Sequence, residues 1–210
     1  MREHLKLLHP GIAVTPLDVQ RRSLVASIAQ LHSSYMTVTA APLPTIAVEG
    51  EEDLIHISYD AVAAYHGQAA LAMLAVTFQA LRLMLPALSP ERPPRRADLV
   101  VISGHPGPGV RDAFEFVTRA ATRGVYTVDR SLAEARLCPG VDMSYSWRVS
   151  AGDRTVGAAL RRGVVPERFF ELIAAGSARS SVDSAELSTL KRRIAQDVLA
   201  AAPDTLFDRL

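Results

Sequence analysis

Leu71, Leu74, Phe78, Leu81 and Leu85 recur at steps of three and four, the spacing that places side chains on one face of a helix. Ala69, Ala70, Ala72, Ala75 and Ala80 fill in around that stripe, and their small side chains allow close approach of neighbouring elements. Pro86 is expected to end the pattern, because it lacks a backbone N–H and disfavours helix in the residue before it. Upstream, Ser58 is placed to cap a short helix running through Asp60 to Tyr65. Tyr65, His66, Gly67 and Gln68 then fall at a break between two helices. The free N–H groups that open the longer helix face the same place.

The remaining pattern is shorter-ranged. Thr15-Pro16-Leu17-Asp18 reads as a helix start, and Leu17, Leu24, Ile28 and Leu31 share a face to about Ser33. His32 sits at that helix's end, where a cation suits the dipole. Tyr35 to Thr39 alternates weakly as a strand would, Pro42 and Pro44 mark a linker, and Glu49-Gly50-Glu51-Glu52-Asp53 reads as a solvated turn. Residues 1–50 are therefore expected to form an N-terminal helical extension and linker, with the main domain at 51–210.

Beyond Pro86, Leu99-Val100-Val101-Ile102 is a continuous apolar, β-branched run suited to a buried strand. A glycine- and proline-rich turn, Ser103 to Gly109, leads to a helix expected over Val110 to Thr122. Met143, Tyr145, Trp147 and Val149 alternate with polar residues, and Trp147 reads as core. Ala151-Gly152-Asp153 turns that strand into Thr155 to Leu160. Pro166 starts a helix with Phe169, Phe170 and Ile173 apolar. Asp183-Ser184-Ala185-Glu186 reads as a capping box for a last helix with Leu187, Leu190, Ile194 and Val198 on one stripe. The expected architecture is α+β, a small, mainly antiparallel sheet with helices packed on one side; alternating βαβ units of a doubly wound fold are not seen.

Composition narrows the classes. The chain has 210 residues, 49% of them hydrophobic, enough for a sizeable core. With 23 basic against 22 acidic residues, the net charge of +1 gives no nucleic-acid footprint. The single cysteine, Cys138, allows no internal disulfide framework and suits a reducing cytosol. No apolar run reaches bilayer length, and MREHLKLLHPG lacks a signal-peptide core. A cytoplasmic protein with no membrane partner is expected.

Two stretches carry candidate chemistry. The first is the helix break, with Tyr65, His66 and Gln68. The second is the turn Ser103-Gly104-His105-Pro106-Gly107-Pro108-Gly109, where Gly107 and Gly109 permit close backbone approach and the helix N-terminus favours anions. Neither a P-loop nor a dinucleotide fingerprint is present, since the Lys and Ser/Thr of the one and the spacing of the other are missing. Arg111 and Asp112 lie in the first turn of the following helix. If the turn closes over the break, His66, His105 and Asp112 could transfer protons. Tyr65, Gln68, Gly107, Gly109 and Arg111 would then bind a small-molecule ligand. Arg92, Arg95 and Arg96 form a stiff basic loop that reads as solvated.

Tyr65-His66-Gly67-Gln68-Ala69-Ala70 resembles the Phe-His-Gly-His-x-Cys signature of the FmdE family of formylmethanofuran dehydrogenase proteins. The lead-in Ile57-Ser58-Tyr59-Asp60, the segment Gly109 to Thr118 and the ending Ala202-Pro203-Asp204-Thr205-Leu206-Phe207 are also similar to that family, covering roughly Ile55 to Leu210. The resemblance implies a homodimer and a metal site. The chain departs from it by placing Gln68, Ala70 and Ala120 where the family has a histidine and cysteines, and by lacking the family's C-terminal metal module. A rebuilt site would use His56, His66 and His105, nitrogens suited to a divalent transition metal such as zinc, nickel or iron. Three functions stay open. One is a small-molecule-binding protein or enzyme with a histidine-lined pocket, working by acid–base or metal-assisted chemistry. The others are a metal-binding accessory domain and a non-catalytic regulatory or accessory subunit.

Overall fold

Ile46 and Val48 alternate with Thr45, Ala47 and Glu49, and in the computed structural model, which describes residues 44–210, they form a strand. This strand, β1 (Thr45–Glu49), pairs antiparallel with β2 (Leu54–Ser58), setting Ile46 opposite Ile57 and Val48 opposite Ile55. The linker expected around Pro44 is thus a hairpin. Its turn closes where Gly50 N–H donates to the Asp53 carbonyl at 2.8 Å. A Cβ on Gly50 would lie 2.8 Å from that same oxygen, so the turn requires glycine. The chain divides between Pro42 and Leu43, ahead of residue 51. The helix expected from Thr15 to Ser33, His32 at its end and the strand at Tyr35 to Thr39 lie outside the described residues.

Helix α1 (Tyr59–His66) begins where Ser58 Oγ accepts from Ala61 N–H at 3.2 Å, and it ends at Gly67, whose φ of 76° is left-handed. Such a conformation is open to glycine without steric cost. Gln68 follows at φ 60°, and α2 (Leu71–Leu88) then starts without a side-chain cap. Helix α2 is the centre of the described domain, buried on nearly every face. Pro86 does not end it. The proline falls in the last turn, where only one backbone bond is forfeited, and buried Leu88 holds the helix two residues further.

After a 3₁₀ turn at Arg96–Asp98 come β3 (Val100–Ser103), α3 (Pro108–Thr118) and β4 (Tyr126–Val128). Helix α3 stops short of Thr122 because Arg119 turns left-handed at φ 57°. The buried Glu115 carboxylate then accepts from Thr122 N–H at 3.0 Å. Arg96 from the basic loop donates to the Val117 carbonyl at 3.0 Å and to that of Phe116, so it serves the open end of α3.

Strands β5 (Ser146–Ala151), β6 (Arg154–Leu160) and β7 (Phe207–Arg209) complete a sheet ordered β4-β3-β5-β6-β7. The β3–β4 pair is parallel and the other pairings are antiparallel. The architecture is α+β as expected. It contains one βαβ unit, β3-α3-β4, which the pattern of residues does not reveal because β4 is only three residues long. Helix α2 lies against β5 and β6. The register aligns Ser103, Trp147 and Ala158 in one row and Val101 and Val149 in the next, and all five are buried. Trp147 is core, its ring 6.5 Å from Phe114 and 6.2 Å from Phe207. On the opposite face Arg148 pairs with Glu134 at 3.2 Å.

Helices α4 (Glu167–Ala174), α5 (Ser181–Ala200) and α6 (Pro203–Leu206) follow the sheet. The capping box of α5 lies three residues earlier than expected. Ser180 Oγ accepts from Asp183 N–H at 3.1 Å, while Asp183 Oδ2 accepts from Ser180 N–H at 3.2 Å. Glu186 pairs instead with Arg168. Helix α5 packs along α2 of its own chain.

Candidate functional site at the helix break

His66 is the last residue of α1 and Asp112 is the fifth residue of α3, in its second turn because the helix starts at Pro108 rather than Val110. The chain reverses across α2 and β3 to bring them together, with Nδ1 of His66 2.7 Å from Asp112 Oδ2. A carboxylate can only accept, so the imidazole donates from Nδ1, and in the neutral ring the lone pair then lies on Nε2. The His66 side chain is 9% exposed and that of Asp112 23%. Arg111 extends the chain of charge, its Nη1 3.6 Å from Asp112 Oδ1, with most of the guanidinium in solvent.

Gly109 is what lets these elements meet. A Cβ there would lie 2.6 Å from the Ala70 Cβ at the start of α2, and 3.7 Å from His66 Nε2. The absence of a side chain therefore allows the first turn of α3 to sit against the helix break. His105 packs on Gly107, two residues before Gly109 in the same turn. Its Nδ1 accepts from Gly107 N–H at 2.9 Å, which leaves the proton of the neutral ring on Nε2. Burial pushes its pKa down to about 4, because a charged imidazolium would lose its hydration there. Tyr145 meets the ring edge-on at 4.9 Å, and burial raises the Tyr145 phenol above its ordinary value.

A cavity of about 170 Å³ opens beside this turn. His105, Gly107, Pro108, Gly109 and Val110 form one side of it. Ala70 just before α2, with Ala72 and Met73 from it, forms another, and Met143, Tyr145, Phe169, Ile173 and Lys191 close it. His66 stands behind Gly109 and is not part of the lining.

The expected site residues thus divide into groups. His66, Asp112 and Arg111 form one linked set, and Gly109 joins it to the cavity that His105 and Gly107 line. Gln68 is exposed at its positive φ and has no side-chain hydrogen bond among the described residues. Tyr65 is 51% exposed and meets Phe116 at a 47° tilt, with ring centres 5.2 Å apart. It lines a separate groove with His56, Arg96 and Arg119. His56 is carried out there by β2, on the register position opposite Ala47. No group of three or more His, Cys, Asp or Glu side chains is arranged to hold a metal ion among the described residues. The expected set of His56, His66 and His105 is not assembled, because His56 lies in a different groove and His105 has committed Nδ1 to Gly107.

Sequence reasoning misses the far wall of the cavity. Met143, Phe169, Ile173 and Lys191 lie on three later segments, and the sequence marks the first three only as members of apolar stripes that read as core. Lys191 carries one faint signal, the absence of an acid three or four positions away on α5, though it opens the basic run Lys191-Arg192-Arg193. Cys138 is buried, its thiol donating to the Phe170 carbonyl at 3.5 Å, as a packing residue would.

The sequence matches no family model and no curated protein.

Proposed function

We propose that this protein binds a small organic molecule at the junction of α1, α2 and α3, and that His66, oriented by Asp112, serves as a base toward it. The observation that carries this reading is the 2.7 Å contact between His66 Nδ1 and Asp112 Oδ2. A carboxylate on one ring nitrogen fixes the tautomer and stabilises the imidazolium that forms when the other nitrogen takes a proton, the arrangement of a positioned general base. The same pair also ties α1 to α3. His66 is not among the residues that line the cavity, so the reading requires the ligand to reach past Gly109 to His66 Nε2.

The two histidines take different parts. His105, neutral and held by Gly107, is a hydrogen-bond donor at the cavity wall and no proton carrier near neutral pH. Proton transfer falls to His66 and Asp112. The resemblance to the FmdE family would make this a member whose histidine and thiolate positions have become Gln68, Ala70 and Ala120, with acid–base chemistry in place of a thiolate-bound metal.

The test is a fragment screen read by imidazole and amide NMR. Binders should shift the His66 Nε2 resonance together with the Ala70 and Gly109 amides. Binders that leave all three unmoved would place the ligand elsewhere and overturn the reading. A screen without binders would leave a folded accessory protein as the better account.

A further inference from the structure

Two grooves meet at the end of α3. One, of about 400 Å³, runs between the β1–β2 turn and the loop before β3. The other, of about 380 Å³, runs between β2, α1 and the same end of α3. They share Ile55, Arg96 and Arg119 and so form one trough, each half of which has the capacity of a small-molecule site. The first half is basic. Arg95, Arg96, Arg119 and Arg123 line it, and the Glu49 and Glu51 carboxylates that line it with them form no ion pair with any of the four. Capping of α3 accounts for two of the guanidinia. Arg96 is held by the Val117 carbonyl at 3.0 Å, and Arg123 by the carbonyls of Ala97 at 2.6 Å and Thr118 at 3.3 Å. A carbonyl bears no net charge, so both keep their positive charge and are fixed in place. Arg119 has only Glu115, at 3.4 Å, a carboxylate that also accepts from Thr122 N–H. Arg95 is exposed, and its side chain has no hydrogen bond or ion pair among the described residues. Burial and the neighbouring charge of Arg119 lower the Arg96 pKa, and Glu115 does not offset them, as expected where like charges crowd together.

The second half is aromatic and mostly apolar. Half-exposed Tyr65 meets Phe116 there, with His56, Ile57 and Ala61 beside them. A tyrosine ring open to solvent and backed by a second ring is a stacking surface for a planar group. We propose that the trough binds a nucleoside phosphate, its base against Tyr65 and its phosphate between the guanidinia of Arg95 and Arg119. The fork of an arginine matches two phosphate oxygens. Inorganic phosphate would leave the aromatic half empty, and an uncharged nucleoside would leave the guanidinia without a counter-charge. Only a ligand with both parts answers both halves. This site is independent of the His66–Asp112 pair and stands or falls without it.

Titration calorimetry of the full chain with ADP and UDP, set against adenosine, uridine and inorganic pyrophosphate, tests it. At least one nucleotide is expected to bind about tenfold tighter than its nucleoside and than pyrophosphate. Arg95→Gln and Arg119→Gln, both at exposed positions, should each weaken that nucleotide about tenfold, the loss of one charge-assisted contact. Tyr65→Leu keeps an apolar contact with Phe116 but offers no ring to stack on. It should weaken the nucleotide about tenfold and leave pyrophosphate unchanged. A nucleoside that binds as tightly as its nucleotide would show that the arginines take no phosphate, and the assignment would be overturned. Pyrophosphate binding as tightly as the nucleotides would make this a bare anion site, which overturns it equally. Nucleotides that bind the three variants as well as the parent sit elsewhere, and the assignment fails. It fails too if no nucleotide binds.

Discussion

The side-chain amide of Gln79, fully buried within α2, donates to the Val198 carbonyl at 2.6 Å. It also reaches the Ala201 carbonyl at 2.9 Å. The amide orientation is fixed by Arg82, whose Nη1 donates to Gln79 Oε1 at 2.7 Å. Both acceptors belong to the end of α5, where backbone carbonyls lack helical partners. One glutamine therefore closes α5 from inside the core and holds it along α2. Gln79→Leu would leave the Ala201 carbonyl without a donor and the Val198 carbonyl with only the Ala201 N–H, and should lower stability by about 1–3 kcal/mol. Urea denaturation measures this, and a loss below about 0.5 kcal/mol would mean that water replaces the amide.

Burial of His105 has a pH consequence. Its folded-state pKa is pushed from 6.5 down to about 4, so between those values the unfolded chain binds a proton that the folded chain does not. Stability then falls as pH falls through that window, is unaffected by this group above it, and levels off below it. The ceiling is about 3 kcal/mol. His105→Asn keeps an acceptor for Gly107 N–H and removes the titration. The difference between the two proteins' stabilities should therefore shrink from about pH 7 to about pH 4. Parallel profiles would show that the ring is hydrated.

How much of this is legible in the sequence depends on the range of the signal. The α2 stripe, the Ser58 cap and the Gly152 hairpin announce themselves within a few residues, and each stands where the pattern puts it. His66 and Asp112 both stand out as candidates, yet their contact spans 46 positions and no local rule sets it. Strands β1, β2, β4 and β7 are hidden. Pro42 and Pro44 make the first look like a linker, and β4 and β7 are three residues each, held by sheet partners rather than by their own alternation. Gly109 reads as a conformational device. Its φ is not positive, and the need for glycine comes from Ala70, 39 positions away at the start of a different helix.

That contact supports its own prediction. Gly109→Ala places a Cβ 2.6 Å from the Ala70 Cβ, and overpacking of this kind costs about 1–3 kcal/mol. Ala70→Gly in the same chain removes the opposing methyl. The double variant should recover most of the packing loss, less the cost of the new glycine, which is about 1 kcal/mol. Thermal denaturation of the single and double variants gives the coupling directly. Additive effects would indicate that the two helices separate without strain.

The position of the α5 cap separates two readings of one segment. Ser180→Ala removes the acceptor of Asp183 N–H and should cost about 1 kcal/mol. Had Asp183 been the cap and Glu186 its reciprocal partner, Glu186→Ala would be the more damaging change. Here Glu186 meets only Arg168 at the surface, where ion pairs contribute little. Equilibrium unfolding of both variants ranks them, and the serine should prove the costlier.

Asp112→Asn and Asp112→Ala separate the tether from the base. Asparagine preserves an oxygen that accepts from His66 Nδ1–H, so fold and tautomer should survive, with stability within about 1 kcal/mol of the parent. Its missing charge no longer stabilises a protonated ring, which should weaken any proton transfer that His66 performs. Alanine removes the acceptor and frees the ring. The nitrogen-15 spectrum of the neutral imidazole should then change from one tautomer, protonated at Nδ1, to a mixture of both. In the unaltered protein a spectrum dominated by the Nε2–H tautomer would reverse the assignment, since a ring already protonated at Nε2 cannot accept a proton there. The pair Asp112–His66 would in that case be a link between α1 and α3 and nothing further.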